Sequence, residues 1–148
     1  MEAVILAGGK AERLGEAAGG RPKALVDVAG RPLAAYQVDQ LAAAGVERIL
    51  ISCAAGQEGT FEAVLGGIGP EIVAVPEPEP LGRGGGIRLA AAQRREEGDF
   101  YALNGDELVD VSLPGLLALH REEEAAATIT VVPLRSPFGV VDLDETRV

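Results

Sequence analysis

Ala3-Val4-Ile5-Leu6-Ala7 is an unbroken apolar run that stops at Gly8-Gly9. A run without polar alternation suits a strand buried on both faces, the setting of a parallel sheet covered by helices. The rest of the chain follows that plan. A helix is predicted from Pro32, placed in the first turn where proline is tolerated, with apolar Leu33, Tyr36, Val38, Leu41 and Ala44 before Gly45 ends it. Strands are predicted at 48–52, 71–75 and 100–103, and helices at 57–65, 87–95 and 113–123, the last with Ser112 as its cap. Pro76-Glu77-Pro78-Glu79-Pro80 excludes regular helix and central strand, because three prolines remove donors and fix φ. A strand at 127–134 and an antiparallel one at 138–143, joined across Arg135-Ser136-Pro137, complete the reading. The predicted fold class is α/β, Rossmann-like and doubly wound. It has a mostly parallel sheet, helices on both faces and an antiparallel C-terminal strand.

At 148 residues the chain has the length of one domain, read as 1–148, without repeats or linkers. Its net charge of −10 opposes a nucleic-acid surface, and no apolar run is long enough to span a bilayer. The first residues lack the basic region of a signal peptide, and a cytoplasmic location is expected. Cys53 is the only cysteine and His120 the only histidine, which excludes an internal disulfide and cysteine- or histidine-rich metal clusters. Cys53 reads as a small buried apolar group and His120 as a surface helix residue. Both lysines lie among residues 1–31, where five basic groups (Lys10, Arg13, Arg21, Lys23, Arg31) face four acidic ones. A small cationic island in an acidic chain suits a compact anion.

In such folds ligands bind beyond the carboxyl ends of the strands. The loop after the first strand, the Pro/Gly run and Asn104-Gly105-Asp106 are therefore expected to converge. Two familiar phosphate loops fail. Gly9-Lys10 lacks the earlier glycine and following hydroxyl of a Walker A loop, and Gly82-Arg83-Gly84 reaches Ile87 where a dinucleotide fingerprint needs glycine. The fold class alone would also admit a nicotinamide-binding domain, but its fingerprint is missing.

What does match is Leu6-Ala7-Gly8-Gly9-Lys10-Ala11-Glu12-Arg13-Leu14, followed by Pro22-Lys23-Ala24-Leu25. It resembles the opening of the sugar-phosphate nucleotidyltransferases, and Arg13 and Lys23 stand ten apart as in that family. In the related molybdenum-cofactor guanylyltransferases the interval is shorter. The resemblance continues at Glu79-Pro80-Leu81-Gly82, Gly84-Gly85-Gly86-Ile87, Asn104-Gly105-Asp106 and Phe138-Gly139-Val140-Val141, in order along the chain.

The resemblance implies an enzyme joining a nucleoside triphosphate to a sugar 1-phosphate with release of pyrophosphate. Arg13, Lys23 and Asp106 are then the catalytic residues. Arg13 holds the departing pyrophosphate, Lys23 supplies a point charge near the α-phosphate, and Asp106 binds Mg²⁺. Leu6, Ala7, Gly8, Gly9, Lys10, Glu77 and Gly82 fall on nucleotide-binding positions, and Gly139 on a sugar-contacting one. Glu77 can accept from guanine N1–H and N2–H₂, which leans towards GTP with mannose or heptose 1-phosphate. A uridylyltransferase for N-acetylmuramic acid 1-phosphate has a similar segment.

Departures from the pattern carry meaning. Ala11 replaces a glycine, Glu12 sets a negative charge beside the phosphate site, and Arg83 stands where threonine is usual. The family's Glu-Lys-Pro segment and second metal-binding aspartate find no counterpart after Gly139, so the chain is expected to be the front portion of such an enzyme. The rival expectation is a regulatory module that binds nucleotide without turnover. The sequence leaves homo-oligomerisation open.

Overall fold

The computed structural model describes residues 1–9, 19–67 and 69–133. The predicted strand at 138–143 lies outside them. The chain divides into two compact units, Met1–Leu113 and Pro114–Val148.

The first unit is built on four parallel strands: β1 (Glu2–Leu6), β4 (Arg48–Ala54), β5 (Glu71–Glu77) and β6 (Tyr101–Asn104). Between β1 and β4 lie a short 3-10 turn (Lys23–Leu25), a two-stranded antiparallel hairpin of β2 (Asp27–Val28) and β3 (Arg31–Pro32), and helix α1 (Leu33–Ala43). Helix α2 (Glu58–Leu65) joins β4 to β5, and α3 (Gly82–Ala91) joins β5 to β6.

The strand order is β5-β4-β1-β6. Two crossovers, through α1 and α2, step outward from β1 on one side. The third returns through α3 to β1's other edge. Right-handed crossovers in opposite directions put their helices on opposite faces, so the fold is doubly wound, as predicted. Val4, Leu50, Val75 and Ala90 form a buried cluster between the sheet and α3, with Leu6, Val73 and Leu89 packed against it. The alternate positions Ala3, Ile5, Ile49, Ile51 and Cys53 point to the opposite face and are fully buried, as are Val38 and Leu41 of α1 and Phe61 and Leu65 of α2. Each fully buried large aliphatic side chain contributes roughly 1.5–3 kcal/mol.

Local chemistry explains the boundaries. α1 ends in a Schellman motif, with Val46 N–H on Leu41 O and Gly45 N–H on Ala42 O, both at 3.0 Å. Gly45 takes the left-handed position that closure requires, at φ +82°. Strand β5 runs through Pro76 to Glu77, two residues further than predicted, because β5 is an edge strand among the described residues and a missing N–H is tolerated there.

The run Gly82-Arg83-Gly84-Gly85-Gly86 was expected as a loop before a helix at 87–95, but it forms the first half of α3. The reason is packing. A Cβ at Gly86 would lie 2.9 Å from Glu77 Oε1, 2.9 Å from Leu6 Cδ2 and 3.1 Å from Ser52 Oγ. Close approach to the sheet outweighs the poor helix propensity of glycine.

In the second unit, α4 (Leu113–Glu122) continues from the last residue of the first unit, and His120 Nδ1 lies 3.0 Å from Thr128 Oγ1. The strand predicted at 127–134 is absent over its described residues, 127–133. Ile129, Val131 and Val132 are 80, 83 and 73% exposed. Their β-branched composition suggested a strand, but that preference acts through packing against ladder neighbours, and none pairs with them among the described residues. No helix among the described residues is long and apolar enough to cross a membrane.

Candidate functional site

The carboxyl ends of β1, β5 and β6 open onto a cavity of about 390 Å³. It lies where the strand order reverses around β1, the place expected of a ligand site in an open α/β sheet. Leu6, Ala7, Gly8 and Gly9 line it after β1. Glu77, Pro80, Gly82 and Arg83 do so around the β5–α3 junction, Asn104, Gly105 and Asp106 after β6, and Lys23 and Ala24 from the 3-10 turn. The three segments predicted to converge do converge. Of the predicted residues, Lys10, Arg13 and Gly139 lie outside the described ones.

Lys23 reaches the cavity because its neighbours are anchored. Ala24 and Leu25 are 2 and 1% exposed, and the turn closes with Leu25 N–H on Pro22 O at 2.8 Å. Gly105 makes room for this turn. A Cβ there would meet Leu6 O at 2.8 Å and Ala24 Cβ at 3.2 Å. Gly105 N–H donates to Leu6 O at 2.8 Å, which extends the β1–β6 pairing into the loop. The next residue is Asp106, and its Oδ2 forms an ion pair with Lys23 Nζ. Both side chains remain about two-fifths exposed, at 42 and 39%, so the pair faces solvent across the cavity mouth.

Glu77 has a different environment. It is 8% exposed, its Oε1 accepts from Ser52 Oγ at 2.6 Å, and its Oε2 accepts from Leu81 N–H at 3.0 Å. The carboxylate thereby ties β4 to the start of α3. A Cβ at Gly8 would lie 2.8 Å from Glu77 Oε1. Gly8 is thus the residue that lets the loop after β1 pass over this carboxylate.

Asp106 brings a hard oxygen donor to the cavity mouth. No group of three or more His, Cys, Asp or Glu able to hold a metal occurs among the described residues. A single, partly exposed carboxylate fits Mg²⁺, which takes one or two carboxylates and completes its shell with water and substrate phosphates.

Sequence reasoning missed two buried polar residues that shape the site. Ser52, fully buried, interrupts the apolar β4 pattern, and that interruption was its signal. Gln37 is 1% exposed on the apolar face of α1, and its Nε2 donates to Asn104 O and Glu107 O, each at 2.7 Å. Arg83 was noted only as a departure, yet it brings a second cation to the cavity wall.

Comparison with known proteins identifies the family. Residues 3–137 match the MobA-like NTP transferase domain. A mannose-1-phosphate guanylyltransferase from Mycobacterium tuberculosis is 35% identical over 150 residues, covering 98% of this chain and 41% of that protein. The inositol-1-phosphate CTP transferase from T. maritima superposes with a TM-score of 0.68 at 29% identity, covering 79% of this chain and 46% of that one. HddC from Yersinia pseudotuberculosis, in complex with GMP-PN, gives 0.60 at 33% identity, covering 71% of this chain and 47% of that one. The chain spans about two-fifths of the length of the curated relatives it matches. A sheet whose switch point gathers glycine loop, lysine and aspartate, matched along residues 3–137, places the chain in the MobA-like NTP transferase family.

Proposed function

We propose that the chain is the nucleotide-holding part of a sugar-1-phosphate nucleotidyltransferase, acting on GTP with mannose or heptose 1-phosphate. The observation that carries this reading is the meeting of Lys23 and Asp106 at the mouth of the cavity. Phosphoryl and nucleotidyl transfers depend on positioning and on charge stabilisation. An ammonium and a metal-ready carboxylate on one cavity, beside a glycine loop, are the groups such a transfer needs.

In the proposed reaction an oxygen of the sugar phosphate attacks the α-phosphorus. The bond from that phosphorus to the oxygen bridging to the β-phosphate breaks, and pyrophosphate leaves with that oxygen. Gly8 and Gly9 allow backbone approach to the nucleotide, with Leu6, Ala7, Lys10 and Gly82 around it. Lys23 exchanges Asp106 for the α-phosphate and offsets charge on the equatorial oxygens. Asp106 would hold Mg²⁺, which when bound supplies Lewis-acid neutralisation of the phosphates. Arg13 receives the pyrophosphate, and Gly139 contacts the sugar.

Glu77 supports the choice of base. Each carboxylate oxygen has a further acceptor position beyond its bond to Ser52 or Leu81, and guanine N1–H and N2–H₂ are matching donors. The guanylyltransferase relative and the GMP-PN-bound neighbour point the same way.

Pyrophosphate release by the full-length protein, assayed with Mg²⁺ against a panel of triphosphates and sugar 1-phosphates, tests the reading. Release with GTP and one of the two named sugars is expected. Saturable nucleotide binding without pyrophosphate would instead assign a regulatory module.

A further inference from the structure

We propose that Gln37 is a positioning residue for Asp106. This rests on the reading of Asp106 as the magnesium carboxylate. Gln37 lies on α1, 1% exposed, among the apolar positions Ala34, Val38 and Leu41. A polar side chain there is costly unless its groups are paired. Its Nε2 is paired twice, donating to Asn104 O and Glu107 O at 2.7 Å each. Those carbonyls flank Gly105 and Asp106.

The amide orientation is determined by chemistry. Carbonyl oxygens only accept, so the nitrogen must face them. Oε1 is left buried and accepts no hydrogen bond among the described residues. The amide therefore directs its donor end at the Asp106 turn. Had packing been the only demand, leucine or methionine would fill the position without burying an amide.

The same turn is held from β1 by Gly105 N–H on Leu6 O at 2.8 Å, and internally by Asn104 Nδ2 on Glu107 Oε2 at 3.1 Å. Glu107 N–H also points at Asn104 O, at 3.4 Å, and Gln37 restrains the turn from the α1 side. Asp106 makes its ion pair with Lys23, whereas the Gln37 amide bonds the carbonyls of Asn104 and Glu107. The effect on metal is transmitted through the backbone of residues 104–107.

Gln40 provides an internal control. It lies one helical turn further along α1 and donates through its Nε2 to Val109 O at 3.1 Å and Val111 O at 3.3 Å, beyond the Asp106 turn.

The test is a Mg²⁺ titration of GTP binding to the full-length protein, followed by calorimetry. Removing a group that orients a metal ligand typically weakens metal affinity by about 10–100-fold. Gln37→Met is expected to raise the half-saturating Mg²⁺ concentration by about tenfold, with metal-free GTP affinity unchanged. Gln40→Leu should leave the Mg²⁺ dependence at the wild-type value. Gln37→Met should add nothing in an Asp106→Asn background, whereas a general loss of stability would act in both backgrounds. Gln37→Leu, which removes the donor and keeps an apolar side chain of similar size, takes the place of Gln37→Met if that variant does not fold, with the same loss expected. A folded variant with the wild-type Mg²⁺ dependence, or an additive double variant, overturns the proposal while the proposed function stands. A wild-type protein whose GTP binding ignores Mg²⁺ overturns both.

Discussion

Lys23 Nζ and the Asp106 carboxylate form an ion pair across 83 positions of chain. Their approach depends on Gly105, whose missing side chain lets Ala24 pack against the β6 loop. Since both groups are about two-fifths exposed, water screens them and the pair adds little to stability, on the order of 0–1 kcal/mol. Function and stability therefore separate. Lys23→Ala and Asp106→Asn are each expected to lower pyrophosphate release by about 100-fold or more, while melting temperatures move by no more than about 4 °C. Wild-type turnover in either folded variant removes that residue from the mechanism.

Gly86 and Gly84 offer a paired test of why glycines occupy α3. Alanine at Gly86 would press on Glu77, Leu6 and Ser52 at 2.9–3.1 Å, whereas a Cβ at Gly84 meets nothing within 4 Å. Gly86→Ala is expected to destabilise by about 1–3 kcal/mol. Gly84→Ala should stabilise by up to about 1 kcal/mol through helix propensity. Urea denaturation of both variants reads the sign directly.

At the opposite end of the sheet Glu2 is 3% exposed and bonds Arg48 Nη1 at 2.7 Å and the backbone N–H groups of Arg95 and Glu96 at 2.9 Å. Burial pushes its pKa up, but the Glu96 N–H, the Arg48 guanidinium and the Arg95 N–H together outweigh that and hold it below 4.5. A carboxyl with a depressed folded pKa stabilises the protein above its unfolded value and loses that contribution as pH falls through the folded one. Stability should thus decline below about pH 4.5, and less steeply in Glu2→Gln. At pH 7, Glu2→Ala should cost about 3 kcal/mol, because Arg48 loses its most buried partner. A calorimetric series across pH compares the slopes.

Cys53 is fully buried, and desolvation, with Glu58, Glu77 and Glu62 nearby, pushes its thiol up to about 11. The folded state favours the neutral thiol. Stability is therefore complete below the unfolded pKa and declines as pH rises above about 9. Alkylation by iodoacetamide at pH 8 should be slow in the native protein and fast after denaturation. Equal rates in the two states would show that the thiol is accessible in the fold.

The legibility of the chain follows the range of the forces involved. The apolar run before Gly8 could be read as a doubly covered parallel strand because strand burial leaves a local pattern. Gly45 could be read as a helix stop because the left-handed position after Ala44 favours a residue without Cβ. The glycine run at 82–86 was misread because its cause lies elsewhere in the sequence. Ser52 and Glu77 press against Gly86, so a composition that locally signals a loop becomes a helix. The segment 127–133 erred the other way: its composition is strand-like, yet it finds no ladder partner among the described residues, and Ile129 and Val131 are exposed.

Taken alone, the order of residues determined the alternating α/β plan and the candidacy of Lys23, Glu77 and Asp106, since strand ends and spaced motifs are local properties. Only tertiary structure decided that Lys23 and Asp106 share one cavity mouth, that Ser52 and Leu81 occupy the Glu77 carboxylate, and that Gln37 braces the Asp106 turn. Each of those contacts joins residues from different elements, and their distances depend on strand order and on which glycines allow close approach.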